Sequence, residues 1–325
     1  MVLAIMQDRH GGPEVLQTAD VVLSGPAEGE VTIRHTAIGL NFIDCYVRSG
    51  LYPLLEPPGT IGMEAAGVIV NQGPGVRGFH EGDRVAYVWN TPGAYVAERN
   101  VPVRWVVKLP DNVEEQQAAA MMLKGMTAEY LLHRMTEAGP GDKVLVHAAA
   151  GGVGLILTAW AKHKGCVVIG TVSTEAKAEV ARAHGADHVV ITGGSGDFAE
   201  EVMDLTGGHG CKYVYDGIGK DSFEGSLASL AKHGHFVSYG NASGKVPPFD
   251  IARLTPRCAR ISRPSLFPHI ATREELDEVS TNLLQAMADD IVKVDINQTY
   301  PLAEAARAHE ELEGRKTTGQ SVLLP

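Results

Sequence analysis

The chain has 325 residues, 44% hydrophobic and 21% charged, with 39 acidic against 28 basic side chains and a net charge of -11. That length suggests two domains, each with its own core. The acidic balance argues against broad contact with nucleic acid or anionic membrane, since both require a positive footprint.

No apolar run approaches the roughly twenty residues of a membrane span. The first residues show no basic stretch followed by a long apolar one, so no secretory signal is visible and a cytoplasmic protein is expected. The cysteines, Cys45, Cys166, Cys211 and Cys258, are scattered without a C-x-x-C pair. Free thiols in a reducing compartment fit them better than a disulfide framework.

In chain order, residues 1–108 alternate short apolar runs with glycine and proline, as in Gly29 to His35, Gly67 to Val70 and Asp83 to Val88. Such punctuation predicts a compact β-rich region. From about Gly125 to Arg263 the rhythm changes to strand and helix in turn. Strands are expected at 143–147, 166–172, 188–191, 211–216 and 235–239, and helices at 152–164, 174–184, 197–206 and 221–232. Strands alternating with helices of this length imply a parallel sheet covered on both faces. From Pro264 onward two helices and a final strand at 321–324 are expected. Thr272 and Glu275 form a capping-box pattern at the start of the first helix. This tail is too small to stand alone and is expected to return to the N-terminal region.

The central motif is His147-Ala148-Ala149-Ala150-Gly151-Gly152-Val153-Gly154, placed between an expected strand and an expected helix. Ala149, Gly151 and Gly154 fit the dinucleotide fingerprint, with alanine in its first glycine position. Small residues let the backbone approach a pyrophosphate, and the helix N-terminus stabilises its charge. A glycine-rich run alone would be a weak signal; the strand–turn–helix context strengthens it.

Cofactor choice is read after the second strand. An NAD-type site places an Asp or Glu there to bond the ribose 2′-hydroxyl. Here the strand runs out at Ser173, and Lys177 follows one helical turn later. Ser173 can donate to a 2′-phosphate and Lys177 can pair with it, which favours NADPH. Glu175 would repel such a phosphate unless it faces solvent.

The series of segments resembles the NADPH:quinone oxidoreductases, the zinc-free branch of the medium-chain dehydrogenase/reductase superfamily that includes the ζ-crystallins. The likeness is carried by residues 10–16, 38–44, 46–52, 62–67, 123–127, 147–154 and 263–265, nearly end to end. It implies an α/β protein with a GroES-like β-rich catalytic domain, residues 1–124 and 264–325. Between these segments a Rossmann NADPH-binding domain, residues 125–263, would be inserted as a doubly wound parallel sheet. It also implies a homodimer joined near Arg257–Leu266. By the same resemblance, the cofactor contacts are Asn41, Tyr46, Thr127, Gly151, Gly152, Val153, Gly154, Ser173, Lys177, Gly217, Gly219, Gly240 and Asn241, with Phe267 and Gly319 as further candidates. The family often lays a tyrosine against the adenosine; residues 191–197 here contain Thr192, Gly193 and Gly194 instead.

No zinc is expected. By the resemblance, Asn41 and Met63 stand where zinc-dependent relatives place a cysteine and a histidine ligand, and Cys45 is read as a small packed residue. Without a Lewis acid the acceptor must take hydride easily, as a quinone does, and the protein contributes proximity and orientation. Tyr46 and Tyr52 are candidate proton suppliers; Asn41 and Lys124 are candidates for orienting cofactor or substrate oxygens. A reductase of enones or 2-alkenals fits the same residues. A non-catalytic NADPH-binding protein with RNA contact, as the ζ-crystallin likeness suggests, is a rival from another class.

Overall fold

The computed structural model describes residues 1–193 and 197–325, which form sixteen β-strands and eight α-helices. Gly194, part of the segment singled out opposite the adenosine, lies outside the described residues. The chain divides into two compact units. The first is Met1–Met126, Ile270–Thr281 and Val294–Pro325; the second is Thr127–His269 and Asn282–Lys293.

The first stretch of chain contains β1 (Val2–Gln7), β2 (Gln17–Val21), β3 (Glu30–Gly39), α1 (Phe42–Arg48), β4 (Gly59–Thr60), β5 (Glu64–Gln72), β6 (Arg84–Val88), β7 (Glu98–Pro102) and β8 (Val106–Lys108). Then α2 (Glu115–His133) crosses the division between the units. The parallel-sheet stretch holds β9 (Lys143–Val146), α3 (Gly152–His163), β10 (Val167–Val172), α4 (Glu175–Ala183), β11 (His188–Ile191), α5 (Ala199–Leu205), β12 (Cys211–Asp216), α6 (Phe223–Ala228), β13 (Leu230–Ser238) and β14 (Arg260–Ser262). Last come α7 (Arg273–Ala288), β15 (Ile296–Pro301), α8 (Ala305–Glu313) and β16 (Gln320–Leu324).

In the first unit, a sheet runs β15-β16-β3-β5-β6-β8, with β7 also pairing β3. β3 is its spine. Val31, Ile33, Ala37 and Ile38 are fully buried, and register shifts at Thr32/Ile33 and His35/Ala37 bend it against β5. The final strand pairs with the end of β3, Val322 opposite Gly39 and Leu323 opposite Ile38, so the tail returns to the N-terminal region. Immediately beyond that pairing, β3 delivers Leu40 and Asn41 into α1.

In the second unit six parallel strands run in the order β11-β10-β9-β12-β13-β14. This is the doubly wound arrangement, with its switch point between β9 and β12. Its central strands β9, β10 and β12 are largely apolar because both faces are buried. Leu145, Ile169, Val190, Val214, Phe223 and Phe236 form the core.

Thr272 and Glu275 cap α7 reciprocally: Thr272 N donates to Glu275 Oε2 at 2.9 Å and Glu275 N to Thr272 Oγ1 at 3.2 Å. The structure differs from the sequence reading over 221–232. The helix there is only Phe223–Ala228, and Leu230 already pairs with Cys211. Sheet pairing overrides the helical preference of Ala231 and Lys232, and His233, at φ 62°, turns the strand. Further elements not expected as such include α1, β14, β15 and α2. β15 is a largely polar edge strand that reads as loop. α2 is buried on nearly every side from Ala118 to Leu132, so no apolar stripe announces it.

Candidate active site

In the second unit, the sheet's C-terminal ends carry the motif residues. Ala148 adopts φ 50°, and Gly151 N closes a turn onto Ala148 O at 2.8 Å. Gly151 is the N-cap of α3 and makes no side-chain cap bond, and the first turn of α3 holds no acidic residue. The other helices of this sheet differ: α4 begins with Glu175, α5 with Glu200 and Glu201, α6 with Glu224. Among them only α3 leaves its positive end unneutralised by its own first turn. A Cβ on Gly154 would meet Ala148 O at 2.1 Å, so only glycine lets α3 press this closely on the turn. These features suit a pyrophosphate.

β10 ends at Val172, and half-buried Ser173 and Lys177 follow. Thr174 caps α4 by accepting from Lys177 N at 3.4 Å. Exposed Glu175 pairs with Arg182 at 2.7 Å, which draws its carboxylate toward the last turn of α4. A second turn follows β12 and β13. Gly219 has φ 93°, and a Cβ there would lie 2.4 Å from Gly244 O; a Cβ on Gly240 would lie 2.4 Å from Gly217 O. The two glycine loops therefore cross backbone against backbone, with Asn241 buried beside them. Thr127 is buried on α2, and Phe267 opens the turn Phe267–His269.

Beneath these loops lies a buried polar network that sequence reading missed. Asp216 Oδ1 accepts from Ile218 N at 2.7 Å and Gly219 N at 3.0 Å; its Oδ2 accepts from Ser222 Oγ at 2.6 Å and Ser226 Oγ at 3.1 Å. His147 bridges Ser226 Oγ at 2.9 Å and Thr171 Oγ1 at 2.8 Å. Burial holds the His147 imidazole below its usual range, with Asp216 opposing. The spacing Asp216-x-Ile218-Gly219, a strand end followed by a tight turn, was the available signal.

In the first unit, Asn41 and Lys124 converge on fully buried Glu64. Asn41 Nδ2 donates to Glu64 Oε1 at 2.7 Å, Leu123 N to Glu64 Oε2 at 2.6 Å, and Lys124 Nζ lies 3.9 Å from Oε1. Burial raises the Glu64 carboxyl and lowers the Lys124 ammonium; each charge opposes the shift of the other. Because Nδ2 faces the carboxylate, Asn41 Oδ1 is turned to the start of α1, where it sits buried in a capping box with Asp44 without a full hydrogen bond of its own. The rings of Tyr46 and Tyr52 lie 5.1 Å apart and Phe42 flanks Tyr46 at 6.2 Å, making an aromatic wall along α1. Gly319, at φ 59°, lies in the turn before β16 beside Asp295 O and Asn297.

Behind Asn41 runs a second unanticipated chain of buried groups: Asp44, Tyr95, His309 and Arg48. Cys45 is packed with them, its Sγ 3.4 Å from His309 Nδ1, and burial pushes its thiol well up. Among the described residues, no group of three or more His, Cys, Asp or Glu is gathered as a metal ion would require.

A β-rich unit closed by the chain's own tail, and a parallel sheet with a glycine-turn dinucleotide site, define the medium-chain dehydrogenase/reductase class. The family profile described as "Alcohol dehydrogenase GroES-like domain" matches residues 27–139, and "Zinc-binding dehydrogenase" matches residues 152–284. The chain is 46% identical over 328 residues to a quinone oxidoreductase of Salmonella typhimurium, covering all of both chains. It is 44% identical to a 2-haloacrylate reductase of a Burkholderia species, covering all of this chain and 99% of that one. The crystal structure of Escherichia coli quinone oxidoreductase complexed with NADPH matches with a TM-score of 0.96 at 44% identity, over 99% of this chain and 100% of that one. The chain belongs to the quinone oxidoreductase family.

Proposed function

We propose that this protein is an enzyme that reduces quinones with NADPH. What carries the reading is the α3 N-terminus, which follows a glycine turn with no side-chain cap from Gly151 and no acid in its first turn, in a chain 44% identical over its length to a quinone oxidoreductase solved with NADPH. Residues 125–263 serve as the NADPH-binding domain, and 1–124 with 264–325 as the catalytic domain. When bound, NADPH supplies the hydride, and one proton completes each quinol.

The amides of Gly152, Val153 and Gly154 hold the pyrophosphate, backed by Gly151. Ser173 and Lys177 hold the 2′-phosphate, with Glu175 kept off it by Arg182. Gly217, Gly219, Gly240, Asn241 and Thr127 hold the rest of the cofactor, and Phe267 and Gly319 are further candidate contacts. Asn41 presents Oδ1 as an oriented acceptor, because Glu64 fixes its amide the other way round. Lys124 orients substrate oxygens, and Tyr46 and Tyr52 form a wall for a flat ring and carry the hydroxyls nearest to proton supply. With its amide nitrogen engaged by Glu64, Asn41 can orient a cofactor or substrate oxygen only where that oxygen carries a hydrogen, as a ribose hydroxyl does.

The enzyme acts as a homodimer in the cytoplasm. Strand β14 ends its sheet, and Ile251 nearby is 75% exposed, which favours a second copy on this edge. All four cysteines are unpaired, as in a reducing compartment. A second reading, reduction of other conjugated acceptors, is favoured by the 2-haloacrylate reductase among the relatives.

Oxidation of NADPH and NADH with 1,4-benzoquinone, by wild type and Lys177→Ala, tests the assignment. NADPH is expected to be preferred, with Lys177→Ala raising its KM roughly tenfold while kcat holds. Equal use of NADH with an unchanged variant would remove Lys177 from the site. Inactivity with benzoquinone and a naphthoquinone beside rapid turnover of an enone would establish the second reading instead.

A further inference from the structure

Four buried side chains connect the surface to the back of the Asn41 segment, and their hydrogen bonds have a single polarity. Glu313 on α8, whose side chain is 36% exposed, holds Arg48 through both oxygens at 2.8 and 2.9 Å. Arg48 Nη1 lies 2.9 Å from His309 Nδ1, His309 Nε2 lies 3.0 Å from the Tyr95 hydroxyl, and that hydroxyl lies 3.0 Å from Asp44 Oδ2. Asp44 Oδ2 also accepts Asn41 N at 2.9 Å. Arg48, His309, Tyr95 and Asp44 are each no more than 2% exposed.

An arginine only donates and keeps its proton. His309 Nδ1 must therefore accept, which places the ring hydrogen on Nε2. That hydrogen points at the Tyr95 oxygen, so the Tyr95 hydrogen must go to Asp44. We propose that Arg48, His309 and Tyr95 form a positioning relay, in which a charge at one end of the chain fixes the His309 tautomer and thereby makes Asp44 the acceptor that anchors the backbone of Asn41. This rests on the reading above that Asn41 orients cofactor or substrate. None of the relay residues touches the reacting atoms.

The relay has a titratable output. Asp44 has two donors on Oδ2 and none on Oδ1, which is buried without a partner. Burial pushes its carboxyl up to about 7, while the Asn41 amide and Tyr95 hydroxyl oppose the rise. The groups facing it are Arg48 and Cys45 on α1, Glu64 on β5, Lys124 on α2, Tyr95 between β6 and β7, and His309 and Glu313 on α8. Glu64 raises it further, and Lys124 lowers it. Ionised Asp44 grips the Asn41 amide through a charge-assisted bond; protonated Asp44 grips it less. The turnover rate is therefore expected to rise with pH through this region.

The test follows kcat/KM for benzoquinone from about pH 5.5 to 9, together with the Asp44 carboxyl carbon by NMR in protein labelled with ¹³C-aspartate. Asp44→Asn assigns the resonance. Tyr95→Phe keeps the ring but removes a donor, so both the carboxyl titration and the kinetic limb should move up by about one pH unit. His309→Leu leaves Tyr95 able to donate to Asp44 but removes the proton that polarises its oxygen, so it should move both the same way by less. His309→Gln can still accept from Arg48 and donate to Tyr95, and should restore the wild-type profile. Unchanged titration in folded Tyr95→Phe overturns the relay, as does His309→Gln behaving like His309→Leu. If Asn41→Ala leaves the kinetics untouched, the site reading falls and the positioning role with it, even where the NMR titration moves as expected.

Discussion

Asp216 and Asp44 are both wholly buried, and each anchors a turn that carries site residues, yet they are held in opposite ways. Asp216 receives two donors on each oxygen, two of them backbone amides of the glycine turn it supports. Asp44 receives both of its donors on one oxygen and none on the other. The first arrangement leaves no acceptor unmet and fixes a backbone. The second leaves a carboxyl that burial holds near neutrality, where its charge answers to its neighbours. A buried acid is thus a cap or a switch according to how its second oxygen is satisfied.

The largest expected effect breaks that comparison if it fails. Asp216→Ala strands two amides and two hydroxyls in the interior and should cost about 3–5 kcal/mol, measured by urea unfolding, with NADPH binding lost. Asp44→Ala strands fewer donors and should cost about 1–3 kcal/mol on the same scale. If Asp44→Ala is the more damaging, the distinction between the two acids is wrong. Gly154→Val comes next: a side chain aimed at Ala148 O must displace α3, costing about 1–3 kcal/mol and weakening NADPH more than it weakens the fold.

The same contrast explains what the sequence made legible. The second unit's site is made of backbone, and backbone sites leave a local signature: glycines at fixed spacing, Ala149, Gly151 and Gly154, between a strand and a helix. The parallel sheet, the positions of β9 to β12 and the acid-free end of β10 could be read for the same reason. The first unit's site is made of side-chain bonds between residues far apart in sequence. Arg48 and His309 are separated by 261 positions, and Asn41 and Glu64 by 23. No window of sequence contains either pair. Tyr95 and His309 carried no motif at all, while α2 was hidden because it lacks a polar face.

A subtler effect comes from the pH dependence of stability. His309 is lowered by burial, and further by Arg48, from 6.5 to about 3. Its folded form resists protonation, so its contribution is complete above pH 6.5 and lost as pH falls toward 3. Asp44 is raised from 3.8 to about 7. Its folded form holds the proton more tightly, so its contribution is complete below pH 3.8 and lost as pH rises toward 7. Between pH 3.8 and 6.5 the two slopes oppose each other, each about 1.4 kcal/mol per pH unit at most. His309→Gln should unmask the Asp44 slope, gaining stability on acidification relative to wild type. Asp44→Asn should unmask the His309 slope and lose it. Parallel pH profiles for both variants, by thermal melts from about pH 4 to 7, would show that these groups do not titrate with folding.

The smallest expected effect separates geometry from net charge at the backbone-built site. Glu175 stands two residues from Lys177, and by charge alone its removal should strengthen NADPH binding. The structure instead draws its carboxylate to Arg182, seven residues along α4. Both partners are largely exposed, so the bond contributes no more than about 1 kcal/mol to stability. Glu175→Gln should therefore change the KM for NADPH by less than about twofold, with NADH unaffected. Arg182→Ala should do more than Glu175→Gln, because it frees the carboxylate to swing back toward the 2′-phosphate; NADPH should weaken about two- to threefold while NADH holds. A reversed order, with Glu175→Gln the stronger variant, would mean that Arg182 does not govern where this charge lies, and that Lys177 works against its neighbour rather than with it.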